Sequence, residues 1–390
     1  MNDRVVEGRT TRRTQNAYGV RPDVEDRSKD LHLPDFAAFV LLAFPALLVP
    51  GLGLPANEIA PGALCALAAF RRPAVPAKLP TWFVLLVLAV PVWLALVSAH
   101  NDLAPYRRLL HLGLWAVLAI FVASGRIHLP SAARGLGVGL VLTVALTVAG
   151  LGPDTYVGRL SGTLGDPNLA GYVLTVLGCV AVGAGDRTWL RRVVAVVVAV
   201  AVVLTLSRTS LLAAVFAGAW VLTGRRVRPA FSIPIVAVYA YVVSTIPRET
   251  SLLGLFSDRT GSDALRDRLL AQEKVDVAAS PWFGSGAGTA QVNLGSDRFF
   301  YHSSYLAAQR EGGWVLIGIL AVLAVTVFVS LLRMPVPRRN GWLEGAIICA
   351  AVVAVNLGEV LLELPAAIAI GAAMHHLLTA RPPDPPPAPT

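Results

Sequence analysis

The sequence predicts an all-α, polytopic integral membrane protein with about twelve transmembrane helices and one large extracytoplasmic loop. Three observations carry that prediction. Of 390 residues, 55% are hydrophobic and 15% charged, with a mean hydropathy of +0.64, and a soluble surface needs more charge than this. Runs such as VVAVVVAVAVVLTL (193–206) and VLIGILAVLAVTVFVSLL (315–332) are long enough, with their apolar flanks, to cross a bilayer. Such segments fill nearly everything from 35 to 380, which reads as one membrane domain with a single long polar connection.

Residues 1–34 hold seven Lys/Arg and six Asp/Glu without an apolar period. They read as a disordered cytoplasmic tail, and no apolar run follows promptly enough for a signal peptide. Twelve apolar segments then follow, at about 35–52, 55–70, 81–98, 107–125, 134–152, 168–185, 190–207, 209–224, 230–246, 304–332, 342–359 and 362–379. Prolines interrupt the first two. The chain closes on RPPDPPPAPT (381–390), a proline-rich cytoplasmic tail.

Basic residues set the orientation. With a cytoplasmic N-terminus, the inner links are RRPAVPAK, GRIHLPSAAR, DRTWLRR, GRRVRP and RMPVPRR, which carry fourteen Lys/Arg against one Asp. The even segment count returns the C-terminus to the same side. Cys65, Cys179 and Cys349 each lie within an apolar run and read as small packing residues. Neither they nor the adjacent His375–His376 have metal-ligand spacing, so no metal or other cofactor is expected.

Arg107, Arg108, Arg159, Arg208 and Arg310 break the pattern by standing at outer helix ends, where arginine costs solvation unless something anionic meets it. Snorkelling or pairing with nearby acids is the competing reading, most of all for Arg107, Arg108 and Arg310. Three outer stretches carry the chemistry. In RLSGTLGDPNLAGY (159–172) a polar turn joins two helices, and Asn168 or Asp166 caps the second. In LTLSRTSLL (204–212) Arg208 interrupts more than thirty apolar residues at a tight hairpin tip. Guanidinium suits phosphate, and a helix N-terminus adds N–H donors. Pairing of Arg208 with Glu359 or Glu363 is the structural alternative.

The third stretch is the outer loop, 247–302. SDALRDRLLAQEKVDVAAS reads as a helix capped by Ser262 or Asp263 and ended before Pro281, and PWFGSGAG as a flexible glycine turn. With six Lys/Arg against seven Asp/Glu, the loop is no general polyanion surface. It ends at YHSSYLAAQREGG (301–313), where His302 re-enters the membrane beside Ser303, Ser304 and Tyr305. Imidazole is the side chain most easily poised as a base near neutrality.

Taken in order, R-L-S-G-T-L-G-D-P-N, L-T-L-S-R, then R…S-P-W-F-G-S-G-A-G…Y-H-S-S-Y-L…E-G-G-W resemble the bacterial O-antigen ligase and O-antigen polymerase family over about residues 155–335. The N-terminal third matches only as apolar helices. The resemblance implies a metal-independent glycosyltransferase of the bacterial inner (plasma) membrane. It would move a glycan from an undecaprenyl-type polyprenyl pyrophosphate to a glycan, lipid or protein acceptor at the outer face, with no nucleic-acid partner. By position, Arg208 and Arg266 match the pyrophosphate-binding arginines, with Arg268 as an alternative, and His302 matches the catalytic histidine. Arg159, Asn168, Ser303, Tyr305 and Glu311 are supporting candidates. Glu311 is expected to fix the His302 tautomer or the re-entry turn. Many family members carry His-Asn where this chain has His302-Ser303. Arg107 and His111 are expected to help recognise the acceptor. The alternative function is a transporter or flippase for an anionic lipid or solute, which also wants outward arginines.

Overall fold

The computed structural model describes residues 31–49, 51, 53–75, 77–151, 156, 158–245, 260–294 and 297–380. Nearly all of the N-terminal tail, the proline-rich tail and positions 246–259 of the outer loop lie outside the described residues. Among those described there are thirteen α-helices. They are α1 (Leu33–Leu42), α2 (Ala56–Ala69), α3 (Thr81–His100), α4 (Tyr106–Ala123), α5 (Leu129–Val148), α6 (Pro167–Ala184) and α7 (Thr188–Leu204). After these come α8 (Arg208–Thr223), α9 (Pro229–Thr245), α10 (Thr260–Ala278), α11 (Ser304–Leu332), α12 (Gly341–Val353) and α13 (Leu364–Thr379). Between α10 and α11 lies an antiparallel hairpin of β1 (Gln291–Leu294) and β2 (Asp297–Phe300), which the sequence reading did not include.

All the helices but α10 fall on the predicted apolar segments, and α10 is the helix expected in the outer loop. Five of them (α3, α4, α5, α6 and α11) are long and apolar enough to cross a membrane, while α1, α8, α9, α12 and α13 are apolar but shorter. The first segment is corrected most. Its helix ends at Leu42 instead of near 52, and a bridge between Leu48 and Pro55 closes the proline-bearing turn that follows. Proline lacks the N–H that another helical turn would need. The α10 helix also starts at Thr260, so Ser262 and Asp263 lie within it and do not cap it.

Burial places α6 at the centre. Of its apolar stretch 78% is buried, against 33% for α3. It packs on α5, α7, α12 and α13. The α1–α5 contact is made by backbone approach: a Cβ on Gly135 or Gly139 would lie 2.2 Å from Phe36 O or 2.6 Å from Val40 O. Small residues at such spacing let apolar helices touch where no hydrophobic force separates lipid from side chain.

The basic links gather at one end of the bundle. Arg126 donates to the carbonyls of Ala69 and Arg71, and Asp35 accepts from Arg71 and from the His128 amide. Arg134 pairs with Asp186, Asn340 donates to Gly183 O, and Arg339 to Gly224 O. The opposite end carries the hairpin, the re-entry turn at 301–304 and the arginine-bearing turns.

Candidate functional site

At the loop end the long helix α11 is broken at Gly313, whose φ of +67° and ψ of −164° only glycine adopts readily. The break strips helical partners from the carbonyls before it, and buried carbonyls need replacements. The glycine-rich segment supplies them. Ser285 N donates to Arg310 O and Gly286 N to Glu311 O, both at 2.8 Å, while Trp93 Nε1 donates to Gly312 O at 2.7 Å. Trp314 N in turn donates to Trp282 O. PWFGSGAG is therefore a pinned plug and not the flexible turn the sequence suggested. A Cβ on Gly284 would lie 2.5 Å from Glu311 O.

His302 stands between β2 and α11. Its amide donates to Glu273 Oε1 at 2.6 Å, and its Nδ1 lies 3.4 Å from the same oxygen. Glu273, on α10, is fully buried, while the His302 side chain is 29% exposed and its Nδ1 is buried without a hydrogen bond among the described residues. Glu273 thus holds the His302 backbone and is the carboxylate beside its ring, while Glu311, expected there or at the re-entry turn, bonds Gly288 instead. Burial raises the neighbouring Tyr301 phenol, Asp276 adds to this, and Arg310 opposes it. Arg310 itself donates to Asp276 O.

Glu311 serves the glycine-rich plug: its Oε1 accepts from Gly288 N at 2.8 Å. Ser304, rather than Ser303, is the polar anchor. Its hydroxyl donates at Leu357 O and Gly358 O and accepts from Val360 N, while Ser303 makes no side-chain cap bond. The Tyr305 hydroxyl is engaged by Ala351 O at 2.9 Å, so it is occupied away from His302.

Arg208 opens α8 behind Ser207, whose hydroxyl lies 3.0 Å from that of Ser210. The preceding Leu206 has φ +50°, a left-handed conformation uncommon for leucine, so the tip is a strained turn. Arg159 Nε donates to Thr205 O at 2.9 Å, which lays the 158–166 turn across the same tip. Asp166 caps α6 by accepting from Asn168 N and Leu169 N, so Asn168 is the capped residue and not the cap. Burial raises the Tyr156 phenol and Asp166 adds to this, while Arg159 and Arg266 act against it, which sets both guanidiniums within electrostatic reach of one hydroxyl. Arg268 is exposed on α10.

The link 354–363 joins these parts. Ser304 N donates to Ala354 O and Leu357 O, Asn356 donates to Thr209 Oγ1 at 3.3 Å, and Tyr172 OH donates to Val360 O. Its Glu359 and Glu363 turn the other way, toward Arg108 and His111, where the structural alternative had paired them with Arg208. They line a cavity of about 630 Å3 with Arg107, Arg108, Glu311 and the hairpin's Phe300. Of the predicted catalytic, pyrophosphate-binding and supporting residues, only Glu311 lines this cavity. Among the described residues no group of three or more His, Cys, Asp or Glu is arranged to hold a metal ion.

No family model matches the sequence, and no curated protein matches it.

The sequence reading missed Glu273 and Glu58. Glu273 left one signal, a carboxylate inside an amphipathic loop helix, but its partner is set only by how α10 meets the re-entry turn.

Proposed function

We propose that the protein is a bacterial membrane glycosyltransferase. It moves a glycan from a polyprenyl pyrophosphate to an acceptor hydroxyl, as an O-antigen-type ligase or polymerase. The observation that carries this reading is the His302–Glu273 pair: a part-exposed imidazole whose Nδ1 lies 3.4 Å from a buried carboxylate that already binds its backbone amide. It is the base-and-orienter pairing of general-base catalysis at the longer separation such contacts have before substrate binds. The arginine-bearing tip supports it, because Arg208 stands at a helix N-terminus with hydroxyls beside it and Arg159 across it. The basic links at the opposite end then face the cytoplasm with both termini, and the site is extracytoplasmic.

In the reaction the acceptor oxygen attacks the anomeric carbon as its proton passes to His302. The bond from that carbon to the pyrophosphate oxygen breaks, and the pyrophosphate leaves with the electron pair beside Arg208 and Arg266. In-line displacement inverts the anomeric centre. A prearranged donor against such charge is worth about 3 kcal/mol.

The test is acceptor-dependent release of polyprenyl pyrophosphate from a lipid-linked oligosaccharide by purified protein. Arg208→Ala is expected to lower that release by about 100-fold or more while leaving the fold intact. A folded protein that binds the lipid-linked donor but releases nothing would remove the transferase reading and favour transport.

A further inference from the structure

The cavity of about 630 Å3 takes no part in the bond-breaking chemistry above, yet it holds the densest charge cluster at the loop end. Arg108 lies 3.3 Å from Glu359, 3.6 Å from Glu363 and 3.9 Å from Glu311. His111 lies 3.2 Å from Glu58 and 3.4 Å from Glu363. The lining therefore has four carboxylates against the guanidiniums of Arg107 and Arg108, a charge of −2, or −1 with His111 protonated. That excess repels pyrophosphate, so the cavity is not a second site for the donor's leaving group.

Its polar atoms are also incompletely used. Glu311 Oε2 is buried on a side chain only 5% exposed and makes no hydrogen bond among the described residues. Arg108 Nε, an N–H donor, is in the same condition. Buried polar atoms left in this way each cost about 1–3 kcal/mol, and native proteins leave few of them. One chemical group satisfies both kinds at once: a hydroxyl donates to a carboxylate and accepts from a guanidinium. The lining adds two exposed aromatic rings, Tyr106 at 75% and Phe300 at 60% exposure. Aromatic faces beside a few convergent polar groups suit a ring with an apolar C–H face and hydroxyls around its edge. Phe300 is also two residues from His302 along the chain.

We infer that this cavity binds the terminal sugar of the acceptor, an uncharged or amine-bearing hexose unit, and presents its hydroxyl toward His302. The word acceptor rests on the transferase reading; the sugar site does not. Arg108, Glu311, Glu359 and Glu363 hold hydroxyls, and Phe300 covers the ring.

The experiment measures binding to the full chain in nanodiscs by ligand-observed NMR and calorimetry. The probes are disaccharides of glucose, N-acetylglucosamine and glucosamine, with a galacturonic acid disaccharide as the acidic counterpart. At least one non-acidic probe is expected to bind and the acidic one not. Phe300→Ala and Glu359→Gln, both at exposed positions, are each expected to weaken binding about 5- to 10-fold, the loss of one contact. Binding of the acidic probe as tightly as the others, binding of none of them, or binding indifferent to both variants overturns the assignment. Sugar binding without any release of lipid pyrophosphate would instead sink the transferase reading and leave the site standing. Release that persists in Phe300→Ala with an unchanged acceptor KM would do the reverse.

Discussion

The two ends of the bundle treat buried charge differently. At the end of the basic links each carboxylate is matched. Asp35, fully buried, accepts from Arg71 at 2.5 Å and from the His128 amide at 2.8 Å. Glu344 accepts from Arg339 Nε at 2.9 Å, from Arg339 Nη2 at 2.6 Å and from Trp220 at 2.8 Å. At the loop end Arg108 is spread over three carboxylates, none closer than 3.3 Å. Tight, saturated pairs lock helix ends together, whereas loose, surplus ones hold little and remain available to something that enters. The contrast separates a charge kept for stability from one kept for a ligand.

The sharpest way to break that contrast is to delete one arginine from each end. Arg339→Ala leaves Glu344 buried without its cation, and breaking a buried pair costs about 3–5 kcal/mol. A large fall in the unfolding midpoint is expected, with ligand binding per folded molecule unchanged. Arg108→Ala leaves carboxylates beside a cavity that admits water, and should cost no more than about 2 kcal/mol while weakening sugar binding. If the two variants fall equally in stability, both clusters are merely structural.

A smaller effect is expected from the helix break that shapes the loop end. A Cβ on Gly313 would lie 2.0 Å from Trp282 O, and the backbone there belongs to glycine alone. Gly313→Ala is expected to cost about 1–3 kcal/mol. The loss should appear locally, as faster amide exchange at Ser285 and Gly286, whose bonds reach across the break. Gly318→Ala, five residues on and facing open space, is the control and should leave exchange alone. Equal behaviour of the two would mean that the plug is not held by the break.

This plug also shows where the sequence stops being informative. Each predicted apolar run became a helix because period and composition are local properties, and the proline-bearing first run shortened for an equally local reason. The alternating glycines at 284, 286 and 288 announced unusual backbone, and all three have positive φ. They could not announce that Ser285 and Gly286 would bond the Arg310 and Glu311 carbonyls, because that depends on a helix break far along the chain at Gly313. His302 was legible as an imidazole at a membrane mouth, but its carboxylate was sought at Glu311 and found at Glu273. Both acids are within reach in sequence, and only the packing of α10 against the re-entry turn decides between them. Arg108 read at least as well as a paired arginine as a ligand-seeking one, and it does lie within ion-pair distance of three carboxylates.

The smallest expected effect concerns a surface pair at the basic end. Arg134 holds the Asp186 carboxyl below the usual carboxylate range by hydrogen bonding, against a weaker opposing effect of burial. A carboxylate depressed in the folded state stabilises above its ordinary unfolded pKa, and that contribution disappears as pH falls through the folded value. Asp186 is 36% exposed on its side chain, so solvent screens the pair, and its contribution at neutral pH should stay under about 1 kcal/mol. Asp186→Asn is therefore expected to lower the unfolding midpoint slightly at pH 6, with the gap to wild type closing as pH drops below the ordinary carboxylate pKa of about 4. A gap that stays constant with pH would show that the asparagine differs by geometry and not by charge. The basic end would then owe its order to packing, and the charge contrast between the two ends would narrow to Asp35 and Glu344.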